Sequence, residues 1–220
     1  MTVTSPSVEG LQVGTSGWSY PTWRPGFYPA GSDPADFLRL YAARLGAVEL
    51  NATAYRLPAE EQFRRWAAQV PDGFRFAVKA PPGLLRRLAA FEERVRALGN
   101  RLGCVRVVVP TPRDDGFLEL LLRSVDPGLR WALDLRDRSW DGVETRLAEA
   151  GAVRVGAWDA QVPWRYLRFR EPPYDEAALA GLAARLRPLL EADIEVFAFF
   201  RHEDEPTAPA HAARLARLLA

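Results

Sequence analysis

The residues best suited to chemistry in this sequence are polar and charged side chains that interrupt or follow short apolar stretches. One such stretch is AVELNATAYRLP, from Ala47 to Pro58. It carries a carboxylate, an amide and a hydroxyl two residues apart, at Glu49, Asn51 and Thr53. Alternation with a period of two is typical of a strand that has one apolar and one polar face. If the polar face points into an enclosed space, each of these groups needs a partner, because burying an unpaired polar group is costly.

A second feature is the choice between the two basic side chains. Lys79 is the only lysine among 29 basic residues, and all the others are arginine. Lysine is a compact ammonium whose pKa shifts readily on burial, and it can form Schiff bases, which arginine cannot. We therefore predict that Lys79 acts as an acid, a base or an imine-forming amine, and that Glu49 is a complementary general base or orients it. The alternative is that one lysine has survived by chance in an arginine-rich composition.

Further candidates lie at the ends of the other apolar stretches. Arginines can hold phosphate or carboxylate groups through their planar forks, and tryptophans can form the wall of a pocket for a flat or apolar group. We predict that Lys79 and Glu49 are catalytic and that the substrate is bound by Asn51, Tyr55, Arg56, Asp134, Arg136, Trp140, Asp159, Arg168, Arg170, Trp18, Tyr20 and His202. The alternative is that the carboxylates and arginines form a structural ion network in the interior of the fold.

The sequence predicts no metal site and no cofactor. His202 and His211 are the only histidines, fewer than a multinuclear zinc site requires. The alternative is a magnesium ion bound by carboxylates at Glu49, Asp134 and Asp159. Cys104, the lone cysteine, excludes an internal disulfide, is typical of a reducing cytoplasm, and is expected to be a buried, unreactive thiol.

Length and composition narrow the classes of protein. A chain of 220 residues with 48% hydrophobic content can build one large core. The net charge of +1 argues against a dedicated nucleic-acid-binding protein, which is usually strongly basic. No run approaches the roughly 18 apolar residues of a membrane span, and no signal peptide is visible. We therefore expect a cytoplasmic protein without a membrane partner, and the oligomeric state stays open.

The elements that position these residues follow a regular alternation. Strands are predicted at residues 11–17, 47–53, 74–80, 104–109, 130–136, 152–159, 165–170 and 195–200, and helices or helix-like links lie between them. This order predicts parallel pairing and an α/β fold, a TIM-like (β/α)8 barrel, as a single domain from residue 11 to 220 after a disordered tail at residues 1–10. In such barrels the C-terminal ends of the strands carry the site. An open doubly wound sheet is the alternative, but no glycine-rich phosphate loop follows any strand.

Several of these stretches resemble the motifs of a known family. The motifs are VGTSGWSYPTWRPGFYP (Val13–Pro29), VELNATAYRLP (Val48–Pro58), FRFAVKAP (Phe74–Pro81) and LDLRDRSW (Leu133–Trp140). They are similar to successive signatures of the YecE-like proteins, the domain-of-unknown-function family 72, and the similarity covers nearly the whole chain from Leu11. The resemblance implies a TIM-barrel-like fold. It implies no particular activity, since the family has no settled one.

The chain departs from the family pattern around the predicted pocket. The family usually has Thr-His after the lysine of the third strand, where this sequence has Pro82-Gly83. Asp134 replaces a glutamate, Val108 a glutamine, Arg170-Glu171 a histidine-glycine and Arg201-His202 an Asn-Asn pair. The positions that match are Glu49, Asn51, Tyr55, Arg56, Lys79, Arg136, Trp140 and Arg168. The resemblance therefore implies a shared pocket floor beneath a different rim.

Three functions fit these observations. The first is a barrel enzyme, of the lyase, isomerase or hydrolase type, that acts on a small phosphorylated or carboxylated metabolite. The second is a nucleic-acid-binding or processing protein that uses arginines for phosphates and tryptophans for stacking. The third is a non-catalytic ligand-binding or interaction module. The anionic pocket ligand is the leading expectation, and nucleic acid is the weaker one because the net charge is nearly neutral.

Overall fold

The computed structural model of this protein describes residues 8–220. Its strands are β1 (Leu11–Thr15), β2 (Ala47–Leu50), β3 (Arg75–Lys79), β4 (Leu102–Val109), β5 (Trp131–Leu135), β6 (Val153–Arg154), β7 (Trp164–Phe169) and β8 (Glu195–Phe200). Its α-helices are α1 (Phe37–Ala42), α2 (Glu60–Ala68), α3 (Leu88–Val95), α4 (Asp115–Ser124), α5 (Glu144–Glu149), α6 (Glu176–Glu191) and α7 (Thr207–Leu219). Among these helices, none has the length and apolar character needed to cross a membrane.

The strands form the predicted parallel barrel. Their order is β6-β5-β4-β3-β2-β1-β8-β7, and every ladder is parallel. The two strands at the ends of this order, β6 and β7, have no ladder between them within residues 8–220. A backbone hydrogen bond of 2.8 Å from the Gly156 N–H to the Tyr166 carbonyl oxygen bridges this seam. The chain is therefore a nearly closed, single-domain TIM-like barrel, as predicted.

The seam results from a strand that is much shorter than predicted. We predicted a strand at residues 152–159, but β6 has only two residues. The strand ends because Gly156 has a φ of 91°, a left-handed conformation that a strand cannot continue, and Ala157 turns back to donate to the Arg154 carbonyl oxygen. The following link, residues 155–163, contains no helix, so the described barrel has seven α-helices.

The second strand is also shorter than predicted. It ends at Leu50 because Asn51 has helical backbone angles, with φ −90° and ψ −21°, and begins a 3-10 turn. The expectation that Thr53 continues the polar face is wrong. The Thr53 hydroxyl instead donates to the Lys79 carbonyl oxygen (2.6 Å) and also lies within hydrogen-bond distance of the Leu50 carbonyl oxygen (3.0 Å). Thr53 therefore ties the end of β2 to the end of β3 and fixes the backbone from which Lys79 projects.

Residues 8–10, at the start of the described chain, form a turn. Most of the tail predicted for residues 1–10 falls on residues 1–7, which lie outside the described residues. Residues 8–10 form a turn before β1, in which the Leu11 N–H donates to the Val8 carbonyl oxygen at 3.1 Å. The Gly10 carbonyl oxygen accepts from the Val196 N–H at 2.7 Å, so this turn is joined to β8.

The barrel interior consists of an apolar layer and a charged layer. Inward-facing residues alternate along each strand, so residues two apart share the interior face at successive heights. The apolar layer is formed by Ala47, Ala77, Cys104, Ala132, Tyr166 and Phe199, all buried. Cys104 is buried as predicted, and burial raises the pKa of its thiol. The charged layer, nearer the C-terminal ends of the strands, comprises Glu49, Lys79, Arg106, Asp134, Arg136, Arg168 and Arg170.

Candidate functional site

Glu49 lies at the centre of the charged layer and is only 1% exposed. Its carboxylate accepts hydrogen bonds from the Tyr166 hydroxyl at 2.6 Å and from Nε of Arg168 at 3.0 Å to each oxygen. Nη1 of Arg106 lies 3.4 Å from its Oε1. Burial by itself would raise the pKa of Glu49, but the guanidinium groups of Arg168 and Arg106 outweigh that effect and lower it. Glu49 is therefore a charged carboxylate whose oxygens are occupied by protein donors.

Asp134, on β5, is bound by three arginines at once. Nε of Arg106 donates to its Oδ2 at 3.1 Å, and Nε of Arg136 donates to its Oδ1 at 3.0 Å. Nη2 of Arg170 lies 2.9 Å and 2.8 Å from the two carboxylate oxygens. Burial would raise the pKa of Asp134, but Arg106 and the other guanidinium groups lower it. Since Arg106 contacts Asp134 and Glu49 together, it joins the two carboxylates into one network.

The charged layer holds more positive than negative groups. Four guanidinium groups and the amine of Lys79 face two carboxylates, so positive charge remains without a carboxylate in the described residues. The arginines become more accessible towards the open end of the barrel. The exposed fraction of the side chain rises from 3% for Arg106 to 12% for Arg168, 32% for Arg170 and 44% for Arg136. We call this open end, lined by these four arginines and Lys79, the mouth of the barrel.

Lys79 is the group of the charged layer that has no protein partner. Within residues 8–220 its amine takes part in no salt bridge and no hydrogen bond. Its Cα lies beside that of Arg106 in the β3–β4 ladder. Partial burial and the charges of Arg106, Arg168 and Arg136 lower the pKa of Lys79, and the opposite effect of Glu49 is too small to compensate. The lowered pKa increases the share of neutral amine at neutral pH.

The rim of the mouth on the β1–β8 side is formed by three linked residues. The rings of Tyr20 and His202 stack with centroids 4.5 Å apart and an interplanar angle of 14°. Ser16 Oγ accepts from the His202 backbone N–H at 2.8 Å and lies 2.9 Å from His202 Nδ1. Burial and the charges of Arg168 and Arg201 lower the pKa of His202, so its ring is neutral at neutral pH. Burial raises the pKa of Tyr20 to about 12.

Several predicted site residues lie outside the charged layer. Tyr55 is 90% exposed and Arg56 is exposed, both on the loop after β2. Asp159 is exposed on the link between β6 and β7, where its charge acts on Arg165 at the start of β7, the end opposite the mouth. Trp140 is fully buried. The structure therefore does not bring these four side chains together with Glu49, Lys79 and the arginines.

Two of the tryptophans near the strand ends anchor loops. Trp23 and Trp140 have no exposed surface, and their indole N–H groups donate to the carbonyl oxygens of Glu203 (3.0 Å) and Thr111 (2.9 Å). Trp18 differs, because it lines a cavity of about 530 Å³ between α1, α2 and the loop after β1. The other walls of this cavity include Tyr20, Leu38, Asn51 and Trp66. Tyr20, which also stacks on His202, thus lies between this cavity and the mouth.

Two residues of the site were not identified from the sequence: Arg106 and Tyr166. Arg106 carries the clearest signal, because a charged residue in the middle of the apolar strand LGCVRVVV must point into a polar interior or be excluded from the strand. Tyr166 lies two residues before Arg168 on β7, so the two side chains share one face of the strand. Within the described residues, no group of three or more His, Cys, Asp or Glu side chains is placed to hold a metal ion.

Similarity to other proteins extends over almost the whole described chain. Residues 12–220 match the model of the family described as Protein of unknown function DUF72. The UPF0759 protein YecE of Escherichia coli K12 is 29% identical over 139 residues, which is 57% of this chain and 48% of that protein. The chain thus spans about half the length of this relative. A DUF72 family crystal structure from Thermotoga maritima superposes with a TM-score of 0.80 at 23% identity, covering 95% of this chain and 98% of that one. One from Enterococcus faecalis gives 0.80 at 18% identity, covering 95% of each chain.

Proposed function

This chain belongs to the DUF72 family, as its motifs predicted, and we propose that the mouth of its barrel binds a small molecule carrying phosphate or carboxylate groups. The observation that carries this proposal is the charge imbalance of the charged layer. Two buried carboxylates face four guanidinium groups and one amine at the partly solvent-exposed mouth. Like charges held close together repel one another, and a bound anion relieves that repulsion.

The arginines divide into supporting and binding groups. Arg106 is buried and uses its guanidinium to hold Glu49 and Asp134, so it belongs to the floor. Arg168 donates to Glu49 through Nε alone, and its two terminal nitrogens have no hydrogen-bond partner within residues 8–220. Arg136 and Arg170 lie nearer the rim, with 44% and 32% of the side chain exposed. Arg168, Arg136 and Arg170 are therefore the groups that contact the anion.

The carboxylates orient the arginines in this proposal. Glu49 accepts from Arg168 and Tyr166, and this fixes the plane of the Arg168 guanidinium. Asp134 fixes Arg136 and Arg170 in the same way. A general base needs a free lone pair within reach of the substrate, and the occupied, 1% exposed carboxylate of Glu49 does not offer one. We therefore assign Glu49 the positioning role and leave Lys79 as the reactive group of the mouth.

The purely structural interpretation explains these contacts less well. A network that only fills the barrel gains most when its charges balance, because each unpaired buried charge costs several kcal/mol. Within the described residues, Arg170 keeps a buried Nε without a partner, and the partly exposed amine of Lys79 takes part in no salt bridge. The nucleic-acid alternative depends on exposed tryptophans, whereas Trp23 and Trp140 are fully buried.

Thermal unfolding in the presence of candidate anions tests the proposal. The panel contains inorganic phosphate, sugar phosphates, di- and tricarboxylates and short oligonucleotides at constant ionic strength, with chloride as the reference. An anion present at about 100 times its dissociation constant stabilises by about 2.7 kcal/mol, which is roughly 5–10 °C in Tm for a chain of this size. Arg168→Gln should lose this shift.

The matched control is Arg214→Gln, which removes an equally charged residue from an exposed ion pair with Glu176 between α6 and α7. This variant should keep the full anion-induced shift. If no anion on the panel raises the Tm of the wild-type protein, or if both variants lose the shift equally, the mouth is not an anion site. If only the oligonucleotides raise the Tm, and this increase falls steeply with salt concentration, the result would favour a nucleic-acid-binding function instead.

A further inference from the structure

Hydrogen bonds fix the backbone at Lys79, whereas its side-chain amine has no partner within residues 8–220. The Lys79 carbonyl oxygen accepts from Thr53 Oγ1 at 2.6 Å, and the Ala80 N–H that follows donates to the Arg106 carbonyl oxygen at 2.8 Å. The backbone is thus held on both sides, whereas the amine has no carboxylate or hydrogen-bond partner within residues 8–220. A lysine whose role is structural would be expected to bind Glu49 or Asp134, and both carboxylates are occupied by arginines.

This arrangement favours a role for Lys79 as a nucleophilic amine over a role as a positive charge that only binds an anion. A cationic neighbourhood disfavours the ammonium form, and the neutral amine is the form that attacks carbonyl carbon. Arg106, Arg168 and Arg136 supply that neighbourhood, and the pKa of Lys79 is lowered by burial and by these three residues. The four surrounding arginines could hold an anion, but none of them could form an imine.

We propose that Lys79 forms an imine with the carbonyl carbon of a small phosphorylated or carboxylated aldehyde or ketone bound in the mouth. The inference rests on the proposed anion site, because the arginines must hold the acidic group of the ligand beside the amine. The neutral amine adds its lone pair to the carbonyl carbon, and one proton passes from the nitrogen to the carbonyl oxygen to give a carbinolamine. The nitrogen lone pair then expels this hydroxyl, which takes up the second proton of the nitrogen and leaves as water. One C–N double bond replaces one C–O double bond, and no oxidant or reductant is needed.

The composition of the chain makes the test unusually clean. Lys79 carries the only ε-amine of the protein, so the α-amino group of the N-terminus is the only other primary amine. The protein is incubated with pyruvate, dihydroxyacetone phosphate or pyridoxal 5′-phosphate and reduced with sodium cyanoborohydride. The intact mass should increase by the mass of the carbonyl compound less one oxygen atom, and peptide mapping should place the adduct on Lys79.

Two comparisons separate a specific imine from general amine reactivity. The Lys79→Arg variant keeps the positive charge and should show no adduct above background, while its melting curve verifies that it folds. The wild-type protein unfolded in urea should react more slowly than the native protein at neutral pH, because its lysine has regained an ordinary pKa. Inorganic phosphate should compete with adduct formation if the arginines hold the acidic group.

The outcomes distinguish this inference from the anion site itself. If lactate, glycerol 3-phosphate or phosphate raises the Tm but no carbonyl compound leaves an adduct on Lys79, the imine is refuted and the anion site stands. An equal adduct in Lys79→Arg, or one on the N-terminus alone, refutes the imine as well. If neither adducts nor anion-induced shifts are observed, both proposals fail.

Discussion

Replacing Glu49 by glutamine tests whether the buried carboxylate holds the charged layer together. Glutamine keeps the shape and one oxygen, which can still accept from the Tyr166 hydroxyl. Nε of Arg168 now donates to Oε2 of Glu49 at 3.0 Å. In the variant the amide nitrogen would take the place of this oxygen, so two hydrogen-bond donors would face each other. The substitution also removes one of only two negative charges that face four guanidinium groups.

The expected loss of stability follows from the burial of the pair. Glu49 is 1% exposed and Arg106 and Arg168 are 3% and 12% exposed, so water cannot replace the missing charge. Breaking a buried pair by removing one partner costs about 3–5 kcal/mol. For a chain of this size that corresponds to a fall of roughly 6–20 °C in Tm.

Urea unfolding at neutral pH measures this loss, with the midpoint falling and the slope unchanged. The matched control is Glu176→Gln, which removes a carboxylate from the exposed pair with Arg214 and should leave the midpoint unchanged within error. The native pKa of Glu49 is lowered, so the unfolded state takes up its proton first as the pH falls. The contribution of Glu49 is therefore complete above the unfolded pKa of about 4.3 and disappears as the pH falls through the native pKa.

The difference in stability between wild type and Glu49→Gln should accordingly be constant from neutral pH to about pH 5 and shrink below about pH 4. Asp134 has a lowered pKa as well and shares Arg106 with Glu49, so its titration belongs to the same acid transition. If Glu49→Gln unfolds at the same urea concentration as wild type, or if the difference persists unchanged in acid, Glu49 does not stabilise the native state as a paired carboxylate.

Two further variants test neighbouring parts of the charged layer. Tyr166→Phe removes the hydroxyl that donates to Glu49 at 2.6 Å and should cost about 1.5–3 kcal/mol in urea unfolding, as hydrogen bonds to charged groups do; unchanged stability would contradict that bond. Lys79→Met should raise the Tm at neutral pH, because the lowered native pKa of Lys79 means that its ammonium is disfavoured in the folded state. This increase in Tm should fade as the pH approaches the pKa of about 10.4 that lysine has in the unfolded state. If Lys79→Met instead lowers the Tm at neutral pH, the ammonium of Lys79 is not an unpaired charge in the folded state.

The fold and much of the charged layer could be predicted from the sequence alone. Eight apolar stretches separated by helices predicted the parallel barrel, which the structure confirms. Glu49, Lys79, Asp134, Arg136 and Arg168 could be predicted to share one face, because strand side chains alternate with a period of two and a parallel barrel brings all C-terminal strand ends to one mouth. Both are local rules that depend only on spacing along the chain.

Which of these charged groups pair with one another depends on contacts between distant parts of the chain. Glu49 and Tyr166 are 117 residues apart in sequence, and Asp134 meets Arg106 from the neighbouring strand β4 and Arg170 from the end of β7. Such partners depend on which strands lie beside or across from each other in the barrel and on side-chain length, which no local pattern contains. The same holds for Trp140, whose burial follows from the packing of its loop. The charges of the mouth could thus be predicted from the sequence, but only the closed barrel determined that Glu49 and Asp134 are occupied and that Lys79 has no partner among the described residues.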